Sequence, residues 1–271
     1  MHGWISGKFS GSAAPRTLLR FLSGSLLLCL FLFAALAAQA QDIGSIERVN
    51  GTVSITAAGG PSRAAEAAGR LQDGDLIATG TDGEVLIKMK DNALFALRAN
   101  TQFRLAEYKF DNQASDSSIT NLIKGAVRSV SGLIAKAQPA RVRLTTPTAT
   151  IGIRGTDYEV MVVEQDSADG RAGTYNLVND GATSLQLANG QNLEVTREQT
   201  GFAPAQFVEG VTRLLIFRER PNFFRGGIFD NVLVQMAAQL VTDRAQQELQ
   251  RRLPIPSIPG IGNPFDFFNK K

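Results

Sequence analysis

The sequence predicts an all-β protein: an irregular β-solenoid-like or sandwich domain, followed by a C-terminal α-helix and a proline-rich tail. Short runs in which every second residue is apolar, such as Val85, Ile87 and Met89, recur between glycine-containing turns. Such alternation is typical of half-buried strands. No helical pattern of about 10–15 residues separates the runs, which argues against a parallel sheet of βαβ units. A sustained helical spacing of apolar residues begins only near residue 230.

Residues 1–40 have the pattern of a secretory signal peptide. Basic residues precede an apolar run at 26–36, and Ala38 and Ala40 occupy the small-residue positions of a cleavage site. An uncleaved membrane anchor is the alternative, but the run is short for a hydrocarbon layer of about 30 Å. We therefore expect cleavage before Gln41 and export, to the periplasm or to the cell exterior.

Removal of this leader changes the chemistry available to the chain. His2, Trp4 and Cys29 are the only residues of their types, and all three lie in the leader. Without histidine or cysteine there is no Ser-His-Asp or Cys-His nucleophile and no His- or Cys-ligated zinc, iron–sulfur or haem site. The sequence therefore predicts a non-enzymatic protein with no cofactor and no metal.

The charge of the exported chain is balanced. The whole chain has 28 basic and 25 acidic residues, and the leader holds three of the basic ones and no acidic one. Equal numbers of both signs weaken any electrostatic attraction to nucleic acid. We expect no nucleic-acid partner.

The predicted β domain spans 41–202. An Asn189-Gly190 pair between two alternating apolar runs predicts a β-hairpin. The pattern at 94–97 does not assign faces to its residues, and 118–124 is compatible with a short helix. Candidate strands lie at 52–55, 84–89, 103–105, 126–130, 142–145, 158–163, 175–178, 184–187 and 192–195.

The C-terminal part has three predicted segments. A strap rich in Phe and Arg (203–229) is expected to pack its Phe side chains on the β domain and to leave its Arg groups in water, with a membrane-surface contact as the alternative. A helix follows at 230–252, with Asp230 as its N-cap, and then a Pro/Phe-rich tail at 253–271. The apolar residues at helical spacing are Val234, Ala238, Val241, Ala245 and Leu249.

Four phrases, in order along the chain, resemble the signatures of a known family. They are GDLIATG at 74–80, DGEV at 82–85, GAVR at 125–128 and TPTATIGIRGTDY at 146–158. On these residues the chain resembles the FecR-type domain over roughly 46–195. One such phrase would be weak support, whereas four in the family's order are specific.

The resemblance implies an all-β extracytoplasmic module that is solenoid-like in part. In the founding members this module is the periplasmic half of an iron-transport signal relay and contacts the signalling domain of an outer-membrane receptor. A cytosolic anti-sigma region and one transmembrane helix precede it there. Here only a short basic stretch precedes the apolar run, and the receptor-contact portion is not recognisable. We therefore expect a stand-alone exported FecR-domain protein, and do not transfer the anti-sigma function.

The signature residues are the predicted site, as a structural motif or an interaction surface. Asp75 and Asp73 flank Gly74 and are expected to form a turn rather than an acid–base pair. The complete predicted set is Gly74, Asp75, Gly80, Gly83, Thr146, Pro147, Gly152, Arg154, Gly155, Thr156 and Asp157.

Arg154 is the sharpest of these predictions. Gly152 and Gly155 lack Cβ, so they allow a close backbone approach or a positive φ. We expect Arg154 to be partly buried between them and held by backbone carbonyls or by a carboxylate, which Asp157 or Asp75 could supply, because an unpaired buried guanidinium is costly. Such a pair would be a structural latch, and ligand binding by the same motif is the alternative.

The sequence predicts a protein that works by binding another envelope protein, in sensing or regulation. One alternative is a cell-wall- or polysaccharide-directed protein, although the exported chain has no Trp for sugar stacking. Another is a structural subunit of a surface assembly. Contact with the membrane or the cell wall is open, and so is the oligomeric state.

Overall fold

The computed structural model describes residues 2–3, 41–168, 170–206 and 213–252. The chain divides into two compact units, Met1–Gln41 and Asp42–Lys271, and the elements below belong to the second unit. The predicted signal peptide, apart from residues 2–3, lies outside the described residues. So do part of the predicted strap, 207–212, and the predicted tail at 253–271.

Seventeen strands and two α-helices are formed by the described residues. The helices are α1 (Leu133–Ala137) and α2 (Asp230–Arg252), and a 3-10 turn lies at Pro139–Arg141. The strands are β1 (Asp42–Asn50), β2 (Val53–Thr56), β3 (Ser62–Ala64), β4 (Arg70–Gln72), β5 (Leu76–Thr79), β6 (Glu84–Met89), β7 (Leu94–Leu97), β8 (Gln102–Lys109), β9 (Ser117–Val130), β10 (Val142–Thr145), β11 (Thr150–Ile153), β12 (Asp157–Val163), β13 (Gly173–Asp180), β14 (Ala182–Gln186), β15 (Asn192–Thr196), β16 (Thr200–Pro204) and β17 (Leu215–Phe217).

The strands form two sheets that share one long strand. Sheet I has the order β4-β1-β6-β7-β9-β12-β13-β16-β17. Sheet II has the order β3-β2-β5-β8-β9-β10-β11-β14-β15. Every neighbouring pair is antiparallel except β9 and β10, which run parallel.

Strand β9 passes from one sheet to the other at Gly125. Its first part pairs with β8 and β10 in sheet II, and its second part pairs with β7 and β12 in sheet I. Gly125 has a φ of 85°, and an added Cβ would lie 2.4 Å from Thr101 Oγ1. The expectation that 118–124 is compatible with a helix is wrong, because this segment is held by strand pairing on both of its edges and buries Thr120 and Leu122.

The main core lies between the two sheets. Its side chains come from both layers, and Phe95 of sheet I and Phe103 of sheet II meet with ring centroids 5.2 Å apart. This packing makes the domain a β-sandwich, one of the two predicted architectures. The all-β class and the C-terminal helix are confirmed.

The Asn189-Gly190 hairpin is also confirmed. Strands β14 and β15 pair antiparallel on either side of it, with Leu185 opposite Leu193. The Leu187 N–H donates to the Gln191 carbonyl at 2.9 Å, and Gly190 has a φ of 86°. A positive φ at glycine is what a tight hairpin turn requires.

Residues 218–252, here called the C-terminal segment, follow β17 and lie across the outer face of sheet I. Phe223 and Phe224 pack there against Tyr175 and Phe202, which is the packing predicted for the strap. Phe229, just before α2, and Leu233, in the first half of α2, pack on Leu86, Leu94 and Ala96. Among the described residues, no helix is long and apolar enough to cross a membrane.

This cover explains the ambiguous pattern at β7. Phe95 and Leu97 belong to the core between the sheets, while Leu94 and Ala96 lie under α2. All four are buried, so both faces of the strand are apolar. Alternation fails as a signal when a strand is covered on both sides.

Candidate functional site

The signature turn, residues 154–156, joins β11 to β12. Gly152, on β11, and Gly155, in this turn, satisfy two different requirements. Gly152 has an ordinary φ, but an added Cβ would lie 2.5 Å from Ser184 Oγ on the neighbouring strand. Gly155 faces open space and has a φ of 65°. Close approach is therefore the constraint at Gly152, and backbone conformation is the constraint at Gly155.

The predicted burial of Arg154 is wrong. Its side chain is 69% exposed and lies 3.5 Å from Glu194 Oε1, which is itself 60% exposed. The cause is alternation along β11: Ile151 and Ile153 are buried in the core, so the residues between and after them point outwards. An exposed pair of this kind contributes little to stability.

Asp157 does form a latch, but with Arg128. The Arg128 Nε donates to Asp157 Oδ1 at 3.0 Å, and Nη2 donates to Oδ2 at 2.6 Å. The two residues lie on the neighbouring strands β9 and β12. Burial opposes the charge of Arg128, but the hydrogen bond and attraction to Asp157 outweigh it, so its pKa is raised. Paired N–H···O bonds of this fork geometry are among the stronger ion pairs.

Asp230, at the start of α2, joins two arginines of the sheet. Arg98 Nη1 lies 2.6 Å from Asp230 Oδ1, and Arg98 Nη2 donates to Oδ2 at 2.9 Å. Arg128 Nη1 lies 3.4 Å from the same Oδ2. The carboxylate also accepts the Gly227 N–H at 3.2 Å. Its charge sits at the helix N-terminus, where the helix dipole favours an anion.

Glu159 connects this group to the strap. Its carboxylate lies 3.5 Å from Arg98 Nη2 and accepts a hydrogen bond from Arg220 Nη2 at 3.0 Å. Asn179 Nδ2 donates to both acidic residues of β12, Asp157 at 3.1 Å and Glu159 at 3.3 Å. Strap, helix and three strands of sheet I thus meet in one group of side chains.

We call this group the charged network. It contains three guanidinium and three carboxylate groups, so its charges balance. All the side chains except that of Arg220 are mostly buried. Its members are Arg98, Arg128, Asp157, Glu159, Arg220 and Asp230. Removing one partner would leave an uncompensated charge in a poorly hydrated place, which is costly.

A cleft of about 370 Å³ lies beside the charged network. Gly155, Thr156 and Asp157 form part of one wall. Val234 and Val241 of α2 form part of the other, and they are 45% and 60% exposed. The signature turn therefore lies across the cleft from the exposed apolar residues of α2.

The other predicted residues serve local turns. Asp73 and Asp75 flank Gly74 in a turn, as predicted: Gly74 has a φ of 84°, and Asp75 Oδ2 accepts the Gln72 N–H at 2.9 Å. Burial raises the pKa of the Asp75 carboxyl. No acid–base pair is needed to explain these positions.

The remaining turns are equally local. The Gly80 N–H donates to the Thr52 carbonyl, and a Cβ on Gly83 would lie 2.1 Å from that same oxygen. Thr146, before Pro147, accepts the Ala149 N–H on its Oγ1 at 3.1 Å. The structure thus brings Gly155, Thr156 and Asp157 together at the cleft. Arg154 lies next to them but faces water, and Gly152 is on β11. The predicted residues at 74–83 and 146–147 lie in separate turns.

A second buried polar cluster surrounds Asp91, which the sequence did not single out as a site residue. Its carboxylate accepts hydrogen bonds from the Ala93 and Ile134 N–H groups, both at 3.2 Å, and from the Tyr108 hydroxyl at 3.1 Å. Burial raises the pKa of Asp91 above 3.8. Burial also raises the pKa of Tyr108. This cluster ties the β6–β7 turn to the start of α1.

Sequence reasoning missed the network partners Arg98, Glu159 and Arg220. Glu159 falls between Tyr158 and Val160, which are buried in the core, so its position reads as an ordinary outward residue. Two residues of the sequence could have indicated the network: Arg128 in the signature phrase GAVR and Asp230 at the predicted start of the helix. In the described part of the chain, no group of three or more His, Cys, Asp or Glu residues is placed to hold a metal ion.

Comparisons with known proteins agree with the signature phrases. Residues 75–191 match the family model described as FecR protein. Two crystal structures of a candidate anti-sigma factor from Parabacteroides distasonis ATCC 8503 are similar to the chain, with identities of 14% and 12% and a TM-score of 0.42 each. Both similarities cover 54% of this chain and 60% of the other.

The chain thus spans about three fifths of the length of those solved proteins. Their identity and TM-score are too low to inform function. No curated protein matches the chain. The family match begins at Asp75 and contains the signature residues from Gly80 to Asp157. The chain therefore carries a FecR domain at residues 75–191.

Proposed function

We propose that this chain is an exported, non-enzymatic FecR-domain protein that binds another envelope protein in sensing or regulation. The FecR domain supports the regulatory role. The pattern of residues 1–40 supports export and removal of the leader, with the periplasm as the destination. The rest of the chain would then be divided as the sequence predicts, with the β domain at 41–202 and the helix at 230–252, except that the β domain extends beyond 202 through the end of β16 and β17.

The observation that carries the proposal is the charged network. It fastens the C-terminal segment to the strands that hold Arg128 and Asp157, two residues of the FecR signature phrases. A partner that pulls on the helix would therefore act directly on β9 and β12. Ion pairs rearrange between discrete arrangements more readily than a packed apolar core does, which suits a contact that transmits binding.

The helix offers a surface for such a partner. Leu233 faces the sheet and is fully buried, whereas Val234, Val241 and Leu249 are 45%, 60% and 51% exposed. These exposed residues, with Ala238 and Ala245, follow one stripe of the helix. Apolar stripes of this spacing bind partners in helix-in-groove complexes.

The experiment is a crosslinking pull-down from intact Gram-negative cells that express the full chain with a C-terminal tag. A photo-crosslinking residue replaces Val241 in one strain and exposed Arg141, on the β domain, in the control strain. We expect a periplasmic product that begins at Gln41, and a recurrent protein adduct at position 241 but not at 141. A cytosolic product that retains residues 1–40, or equal adducts at both positions, would refute the proposal.

A further inference from the structure

The four edge strands of the sandwich differ in what they expose. In sheet II, edge strand β3 is Ser-Arg-Ala, and edge strand β15 exposes Asn192, Glu194 and Thr196. In sheet I, edge strand β4 exposes Arg70, which pairs with Asp42. Polar and charged residues of this kind prevent edge-to-edge association. Three of the four edges are thus protected.

The fourth edge, β17, is the exception. Its three residues are large and apolar, and Leu215, Ile216 and Phe217 are 40%, 40% and 37% exposed. The strand pairs with β16 on one side, and no other described strand pairs with it. An edge of this composition is a template for another strand.

An arginine flanks β17 at each end, and exposed Glu219 follows the second of them. Arg213 and Arg218 bracket the apolar run, both are exposed, and neither forms an ion pair with any described residue. Arginines on both sides of an apolar edge, without an ion pair to the described residues, favour a partner with acidic residues at the matching positions. A second copy of this chain would instead bring four arginines onto one short edge.

The aromatic side chains beside β17 extend the surface. The Phe217 ring lies 6.4 Å from that of Tyr175 and 6.1 Å from that of Phe202, between ring centroids. A strand added to β17 would place alternate side chains next to this aromatic group. An apolar residue in the partner strand would therefore gain contact area there.

We infer that the open edge of β17 is a docking site for an extended segment of a partner protein, with apolar residues along the strand and acidic residues at both ends. Main-chain hydrogen bonds would supply affinity, and the flanking arginines would supply selectivity. The inference rests on the proposed function for the identity of the partner as another protein. To the proposed function it adds the location of the partner's binding site and the chemistry of the segment that binds there.

The test uses the exported chain and three labelled peptides, measured by fluorescence anisotropy. Peptide EEVTVTVEE has the expected chemistry, KKVTVTVKK reverses the flanking charge, and EEVTPTVEE has a proline that blocks strand pairing. We expect the acidic peptide to bind, the lysine peptide to bind about tenfold more weakly, and the proline peptide to lose binding.

Two double variants separate charge at this edge from charge in general. Arg213→Glu with Arg218→Glu should reverse the preference between the acidic and lysine peptides. Arg141→Glu with Arg143→Glu makes the same change in charge at exposed positions of the 3-10 turn and of β10 and should leave the preference intact. Thermal melts followed by circular dichroism establish whether each variant folds. If a variant does not fold, the comparison of the three peptides on the wild-type chain still tests the inference.

Three results would overturn the inference. They are no binding of the acidic peptide at millimolar concentration, equal binding of the proline peptide, and an unchanged preference in a folded Arg213/Arg218 variant. Sedimentation that shows dimers of the wild-type chain, lost in Ile216→Lys, would assign the edge to a second copy instead. The peptide assay uses purified protein, whereas the crosslinking at position 241 is done in cells. A negative peptide assay would therefore refute this inference without refuting the proposed function.

Discussion

The two faces of sheet I are held by different physical forces. The inner face packs apolar side chains against sheet II, as Phe95 does against Phe103. The outer face has an apolar cluster under α2 and an aromatic cluster under the strap, and the charged network joins both coverings to the sheet. Apolar burial is non-directional and strong in total, whereas ion pairs depend on particular partners. The inner face therefore stabilises the fold, and the outer face is the one that a partner could rearrange.

The largest effect is expected on the inner face. Phe103→Ala should lower the free energy of unfolding by about 3–5 kcal/mol, because the side chain is fully buried and its removal leaves a cavity. Ile123→Ala, at a position 40% exposed on β9, is the control and should cost less than about 1 kcal/mol. Urea unfolding measures both. Similar losses for the two variants would contradict the described core.

The second effect tests the charged network. Arg128→Met should destabilise the chain by about 2–3 kcal/mol, since it leaves Asp157 without its arginine and Asp230 with Arg98 alone, in a mostly buried place. Arg154→Met, in the same family signatures but exposed, should change stability by no more than about 0.5 kcal/mol. Urea unfolding of the two variants compares the charged network with the Arg154 latch expected from the sequence. A larger loss of unfolding free energy in Arg154→Met than in Arg128→Met would support the Arg154 latch instead.

The third effect asks how firmly α2 is docked. Leu233→Ala should cost about 2 kcal/mol, the low end for a buried leucine because a surface helix can adjust. Val234→Ala, one residue along on the exposed stripe, should stay within about 0.5 kcal/mol. Hydrogen exchange of the α2 amides should rise in the first variant and not in the second. Equal exchange in both would mean that the helix is held by the charged network alone.

The smallest effect concerns pH and the Asp91 cluster. The pKa of Asp91 is raised in the folded chain, so the folded state binds this proton more readily than the unfolded state does. The contribution of Asp91 to stability therefore grows as pH falls from the raised value towards 3.8, and is lost as pH rises through that window. The stability of wild type relative to Asp91→Asn should therefore increase on acidification, as urea unfolding at a series of pH values would measure. A decrease would show that the carboxylate is stabilised as an anion.

The local features of this protein could be predicted from its amino-acid sequence. Alternation marked most strands, Asn-Gly marked the β14–β15 turn, and helical spacing placed α2. Four short phrases established the FecR resemblance. Each of these signals depends on residues within about one turn or one strand of each other, where backbone geometry alone fixes which side chains share a face.

The pairing of the charged side chains, in contrast, could be read only from the folded chain. Arg98 and Asp230 are separated by 132 positions, and no spacing rule relates residues so far apart. Arg154 and Arg128 are equally arginines of the family phrases, yet one faces water and the other is bonded to Asp157, because the fold covers one face of the sandwich and leaves the other open. Whether a charged side chain is buried and paired depends on which other elements pack over it. Those elements are distant in sequence, so local patterns do not predict the outcome.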